Sequence, residues 1–161
     1  MTLIKIHGWD KRPQTALRGI KVGDIFLLSI DGESYAAGRV LSKVDIGHGV
    51  EFFDLLLRRP EITASEIESA QRAGTPVFVD SYGLFDRKIE GDWRIVGHDD
   101  GFVPREESAY FSYGAGQYWK VDIFGAEVEV SQKEAEKYPS YSPQGDAKVK
   151  QWLVPILNRG R

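Results

Sequence analysis

Residues 21–41, KVGDIFLLSIDGESYAAGRVL, restrict the possible folds of this chain more than any other segment. Ile25, Phe26, Leu27 and Leu28 follow one another without a polar break. Strand side chains alternate between faces, so Phe26, Leu28 and Ile30 share one side and Ile25 and Leu27 the other. Both sides are apolar. Such a strand must be covered twice, which places it inside a sheet or in a strongly curled one. Asp31-Gly32 supplies the reversal, because glycine accepts the positive φ of a tight turn. The returning segment, residues 35–44, is small at its centre, where Ala36, Ala37 and Gly38 allow close approach of a neighbouring element.

Further strands are predicted near residues 3–6, in VEFFDLLLRR (50–59), in PVFVDSY (76–82) and in DWRIVGH (92–98). ITASEIESAQRAGTP carries the clearest helix signal. Thr63 and Glu66 form a capping box, and Ile62 and Ile67 occupy the staple positions. Gly74 and Pro76 are placed to stop that helix, which predicts residues 63–73. HDDGFVPREES (98–108) is polar and broken by Gly and Pro, hence a loop. AYFSYGAGQYWKVDIFGAEVEV holds aromatic strand segments, and Ser131 with Glu134 suggests a short helix to Tyr138. Val149, Trp152, Leu153 and Ile156 are spaced for a C-terminal helix from Asp146, which Pro155 is expected to end or kink near Val154. The expected fold is mainly β (α+β). One domain over 1–161 would hold a curled antiparallel sheet or partly open barrel with two or three short helices.

A chain of 161 residues can bury a core without staples, and it contains no cysteine. Disulfides and thiolate metal sites are thereby excluded. The first residues, MTLIKIHGWDKRPQ, lack the apolar run of a signal peptide. No stretch reaches the roughly 20 apolar residues of a membrane span. These features predict a cytoplasmic protein. The formal charge of −3 is unevenly placed. Residues 1–22 carry +4 and residues 146–161 carry +3, so residues 23–145 carry −10. Nucleic-acid binding needs a continuous basic face, which an acidic body does not offer. A basic protein partner suits it.

No reactive centre stands out. His7, His48 and His98 are far apart, and none has a metal-ligand spacing. His98-Asp99-Asp100 would need ligands from elsewhere, because adjacent side chains on an extended chain diverge. Ser81, in DSYG, lacks the nucleophile-elbow pattern. GHG and GAG make no phosphate-binding loop. The aromatics of 109–119 have no interleaved Lys or Arg, so core packing accounts for them better than base stacking. No catalytic residue, metal or cofactor is expected.

The hairpin resembles the immunity protein 26 family of bacterial polymorphic-toxin systems. The shared pattern is Lys21, Gly23, Asp24, Ile25 and Phe26, then Asp31, Gly32 and Tyr35, then Gly38, Arg39 and Val40. EFFD (51–54) and GDWRIVGH (91–98) agree with further segments of that family. The resemblance covers residues 14–105, an immunity-like β core, and leaves 106–161 as an extension with aromatic strands and the C-terminal helix. It implies a mostly β scaffold that binds and silences a cognate toxin and performs no catalysis. Gly23, Asp24, Gly38, Arg39 and Trp93 would be structural, with Arg39 paired to an acid such as Asp24. Function would sit on exposed loops. The loop after His98 fits best: Asp99, Asp100, Glu106 and Glu107 surround Phe102, suited to a basic face such as a nuclease toxin presents. A small β-barrel nucleic-acid module, or an enzyme with an unrecognised site, are the competing possibilities.

Overall fold

In the computed structural model, which describes residues 3–10, 19–86, 90–105 and 109–159, strand β2 (Asp24–Ser29) is buried at every position. It lies inside a six-stranded antiparallel sheet ordered β1-β6-β2-β3-β4-β5. The other strands are β1 (Ile4–Ile6), β3 (Tyr35–Val44), β4 (Gly47–Phe53), β5 (Arg72–Val79) and β6 (Trp93–Asp99). The alternation in β2 separates two cores. Phe26 and Leu28 join Phe52, Trp93, Val149 and Leu153 on one face. Ile25 and Leu27 join Phe53, Ile62, Ile67 and Val96 on the other. Burying each such side chain contributes about 1.5–3 kcal/mol.

The hairpin turns where expected. The Ile30 N–H donates to the Ser34 carbonyl, and Gly32 has φ +86°. Asp31 accepts from the N–H groups of Glu33 and Ser34, which hold its carboxyl below the usual range. Gly38 stands opposite Phe26 on one side and Phe52 on the other. A Cβ there would lie 2.4 Å from the Phe26 ring and 2.4 Å from the Glu51 carbonyl oxygen. The small centre of β3 is thus a seat for an aromatic ring.

A second, three-stranded antiparallel sheet contains β7 (Tyr110–Ala115), β8 (Gln117–Asp122) and β9 (Glu127–Val130). Phe111, Val121 and Ile123 dock it on Leu41 and Phe78, with Phe78 and Phe111 ring centroids 4.7 Å apart. Residues 139–144 then stitch the sheets together. Ser112 exchanges backbone bonds with Pro139 and Tyr141, and Gln144 does so with Phe78 and Asp80. The fold is mainly β, in two antiparallel sheets that form no closed barrel among the described residues.

The helices depart from expectation in number and in where they end. Four are present among the described residues: α1 (Ala64–Ser69), α2 (Ser81–Leu84), α3 (Gln132–Ala135) and α4 (Asp146–Leu157). Helix α3 stops at Ala135, short of Tyr138. Helix α1 has the full Thr63–Glu66 capping box but stops at Ser69, well before Ala73. Arg72 and Ala73 instead pair with Phe53 and Phe52 of β4, and Ala73 enters the core. Gly74 is therefore no helix terminator; it has φ +69° and lies under the Trp152 ring. Pro76 is tolerated because β5 is an edge strand. Helix α4 continues through Pro155 to Leu157. Val149, Leu153 and Leu157 form one fully buried face, and that burial offsets the cost of about 3 kcal/mol for an internal proline. No helix among the described residues is long and apolar enough to cross a membrane.

Candidate functional site

The loop after β6 is built on an ion-pair network. Arg39, on β3, faces Glu51 of β4 in the strand register. Its Nε donates to Glu51 Oε2 at 3.0 Å, and a terminal nitrogen donates to Asp99 Oδ2 at 3.2 Å. Arg72 Nε donates to the other Glu51 oxygen at 3.1 Å. The Arg39 guanidinium also lies 4.0 Å from the Phe102 ring centroid and 5.4 Å from that of Phe53. Delocalised, weakly hydrated arginine suits such a half-buried position between rings and carboxylates. Arg39, Glu51, Arg72, Asp99, Phe102 and Arg105 line an open cavity of about 520 Å³.

The expected Asp24–Arg39 pair does not form. Arg39 opposes Ile25 in the ladder, so it shares that residue's face, and Asp24 points to the other. Asp24 instead accepts from the Lys21 N–H at 3.0 Å and lies 2.9 Å from His98 Nδ1. Burial pushes its carboxyl above the ordinary range, against the Lys21 and His98 bonds that oppose the shift. Glu51 was not anticipated as the central acid. Its clue was present in EFFD, but its second partner, Arg72, lay in a segment read as helix.

The four named acids and Phe102 have different places. Asp99 is mostly covered, with its side chain 13 % exposed, and holds Arg39 and the Gly101 N–H. Asp100 projects outward at 58 % and approaches His98 Nε2 at 3.0 Å. Phe102 is half-buried over Arg39, and Val103 beside it is 77 % exposed. Glu106 and Glu107 lie outside the described residues. Gly23, at φ +95°, ties the loop to the hairpin, its carbonyl accepting from the Asp99 N–H. Trp93 stacks on Phe26 in the core and its indole N–H donates to Asp146 of α4 at 2.8 Å.

Although His98 touches Asp24 and Asp100, no group of three or more His, Asp or Glu among the described residues could hold a metal ion. Ser81 meets His48 Nδ1 at 2.6 Å, and both side chains are buried. Burial pushes His48 below its ordinary pKa, and Lys43 adds to the effect. The Ile20 backbone offsets part of it. The unfolded chain therefore takes up this proton first as pH falls. His48's contribution to stability is complete above about pH 6.5 and declines as pH drops from there toward the depressed folded value. Asp24 acts in the opposite sense, costing stability as pH rises through its raised folded value. Urea unfolding of the wild type should lose stability between about pH 7 and 5, and His48→Gln should lose clearly less. Identical slopes would assign the loss to other groups.

A family model described as immunity protein 26 matches residues 21–118. The match spans more than half of the chain and includes the hairpin, the Arg39 network, the Asp99–Asp100 loop and the start of β8. The chain belongs to the immunity protein 26 family. Comparison with curated proteins finds no match, and neither does comparison with solved structures.

Proposed function

We propose that this chain binds a cognate toxin of a bacterial polymorphic-toxin system as a stoichiometric inhibitor, in the cytoplasm of the cell that makes both. Membership of the immunity protein 26 family carries this reading. The charge of −10 over residues 23–145 supports a partner with a basic face, as a nuclease toxin would present. The protein then acts by covering its partner, with no chemical step, metal or cofactor of its own.

The loop around Asp99, Asp100 and Phe102 is one part of the proposed toxin-facing surface, with Glu106 and Glu107 adjoining it in sequence. Asp100 and Val103 supply its exposed charge and apolar surface. Asp99 acts from beneath by holding Arg39 and the backbone of Gly101. Co-purification with the toxin domain encoded beside this chain tests the function. A one-to-one complex that abolishes toxicity is the expected result, and full toxicity in the presence of folded protein would remove the proposal. Within that complex, Asp100→Asn should slow association a few-fold at low salt, with the difference vanishing at high salt. Phe102→Ala should mainly accelerate dissociation. Wild-type rates for both variants would take the loop out of the interface.

A further inference from the structure

The small sheet carries two tyrosine pairs, one on each face. On the first face Tyr110 and Tyr138 have ring centroids 5.8 Å apart. The Lys120 ammonium lies 4.1 Å from the Tyr110 centroid and 4.9 Å from that of Tyr138. The Tyr138 hydroxyl donates to Glu134 at 2.7 Å. A cation against two aromatic faces with a carboxylate beside them is a filled cation–π site.

Three residues further along each segment the arrangement recurs without its cation. Tyr113 and Tyr141 have centroids 5.6 Å apart, and the Tyr113 hydroxyl donates to Glu127. An odd offset along β7 turns Tyr113 to the face opposite Tyr110. Among the described residues no lysine or arginine lies over either ring. In its place is an open cavity of about 270 Å³, lined by Lys43, Asp45, Tyr113, Phe124, Glu127 and Tyr141 among others. Tyr113 is 40 % exposed and Phe124 is exposed too. In strand register Trp119 and Glu129 follow Tyr113 and extend the aromatic and acidic character across the sheet. The volume falls below that of pockets for drug-sized ligands but admits one side-chain head.

From this recurrence we infer that the Tyr113–Tyr141 notch is a socket for a single lysine or arginine side chain presented by the toxin. The partner's identity rests on the immunity function proposed above; the notch's preference for a cation does not. Charge supports the assignment, because Asp45 and Glu127 outnumber Lys43 around the cavity and the surrounding body is acidic. Burial, with the same two acids adding to it, pushes the Tyr141 hydroxyl above its ordinary pKa, and the Glu127 bond does so for Tyr113. Phe124, Glu127 and Tyr141 lie beyond the family-matched segment, so this chain's extension completes the socket. Tyr141 and Phe102 both pack against the buried Leu41–Phe78–Phe111–Ile123 cluster, which links the notch to the loop through the core.

Two measurements on the full chain separate the socket from the function. The first is NMR titration with N-acetyl-lysine amide, N-acetyl-arginine amide and uncharged N-acetyl-norleucine amide at fixed ionic strength. The two cations should give saturable shifts at Gly125 and at the Tyr113 and Tyr141 rings, with dissociation constants on the order of 10 mM. Norleucine should not. Asp45→Asn with Glu127→Gln should weaken the cations about tenfold, and Lys43→Gln should tighten them about twofold. Unsaturable shifts, or equal shifts with norleucine, would overturn the inference. The second measurement is binding of the catalytically disabled neighbouring toxin domain. Tyr141→Leu and the Asp45→Asn/Glu127→Gln pair should each raise Kd about tenfold. Wild-type affinity in both would overturn the socket's role as an anchor. A cation-selective notch in a protein that does not bind the toxin would support the socket and remove the immunity function.

Discussion

Gly38→Val should lower the unfolding free energy by at least about 3 kcal/mol, the upper part of the range for overpacked cores. In a chain of this size that corresponds to a Tm lower by roughly 6–12 °C. The reason is that β3 has no room for even one carbon at this position. A Cβ meets the Phe26 ring at 2.4 Å and the Glu51 carbonyl oxygen at the same distance. Phe26 cannot retreat, because it stacks on Trp93 and meets Phe52 and Phe85 edge-on. The Glu51 carbonyl belongs to the β3–β4 ladder and cannot retreat without breaking it. Gly38→Ala shares the offending atom and should lose most of the same stability. Thermal and urea unfolding of the two variants are the test, and an unchanged midpoint for Gly38→Ala would show that the seat is not tight.

The hairpin was legible because its signals are local and agree. An uninterrupted apolar run, an Asp-Gly turn and a small-residue centre all point to a doubly covered antiparallel pair, and the structure has one. Helix starts were legible for the same reason: the Thr63 and Ser131 side chains each cap the N–H three residues on. Helix ends were not, because distant partners decide them. Arg72 leaves the helix pattern to pair with β4, and Leu157 carries α4 past Pro155 by entering the core. The segment after Asp99 was legible as a loop, but its first two expected residues, His98 and Asp99, close β6 and pair with β1, and the state of its charges was not legible. Whether an acid is free or engaged depends on what the sheet brings beneath it, and here that is Arg39, sixty positions earlier. The socket was still less visible. Tyr113 and Tyr141 are far apart in sequence, and only the 139–144 stitch brings them together.

Glu51→Ala should cost about 3 kcal/mol, as expected when one member of a covered ionic network is removed. The Glu51 side chain is only 8 % exposed and accepts from both Arg39 and Arg72. Deleting it leaves Arg39, itself largely covered, with Asp99 as its remaining carboxylate. Most of the cost is the desolvation of a charge that has lost its better partner, so Glu51→Gln, which keeps shape and an acceptor, should cost clearly less. Because the network is sheltered, the difference between Ala and Gln should persist in about 0.5 M salt, where an exposed pair would be screened. Replacing Arg39 by Met in the Glu51→Ala background removes the stranded charge and should recover part of the loss, giving a non-additive cycle. The consequence extends to the loop. Arg39 holds Asp99 and supports Phe102 from below, so loosening Arg39 should speed hydrogen exchange at the Gly101 and Phe102 amides, which donate to Asp99. Faster exchange at these two amides, with β2 still protected, would show that the network positions the loop beyond stabilising the sheet. Uniform loss of protection would mean it stabilises the sheet alone.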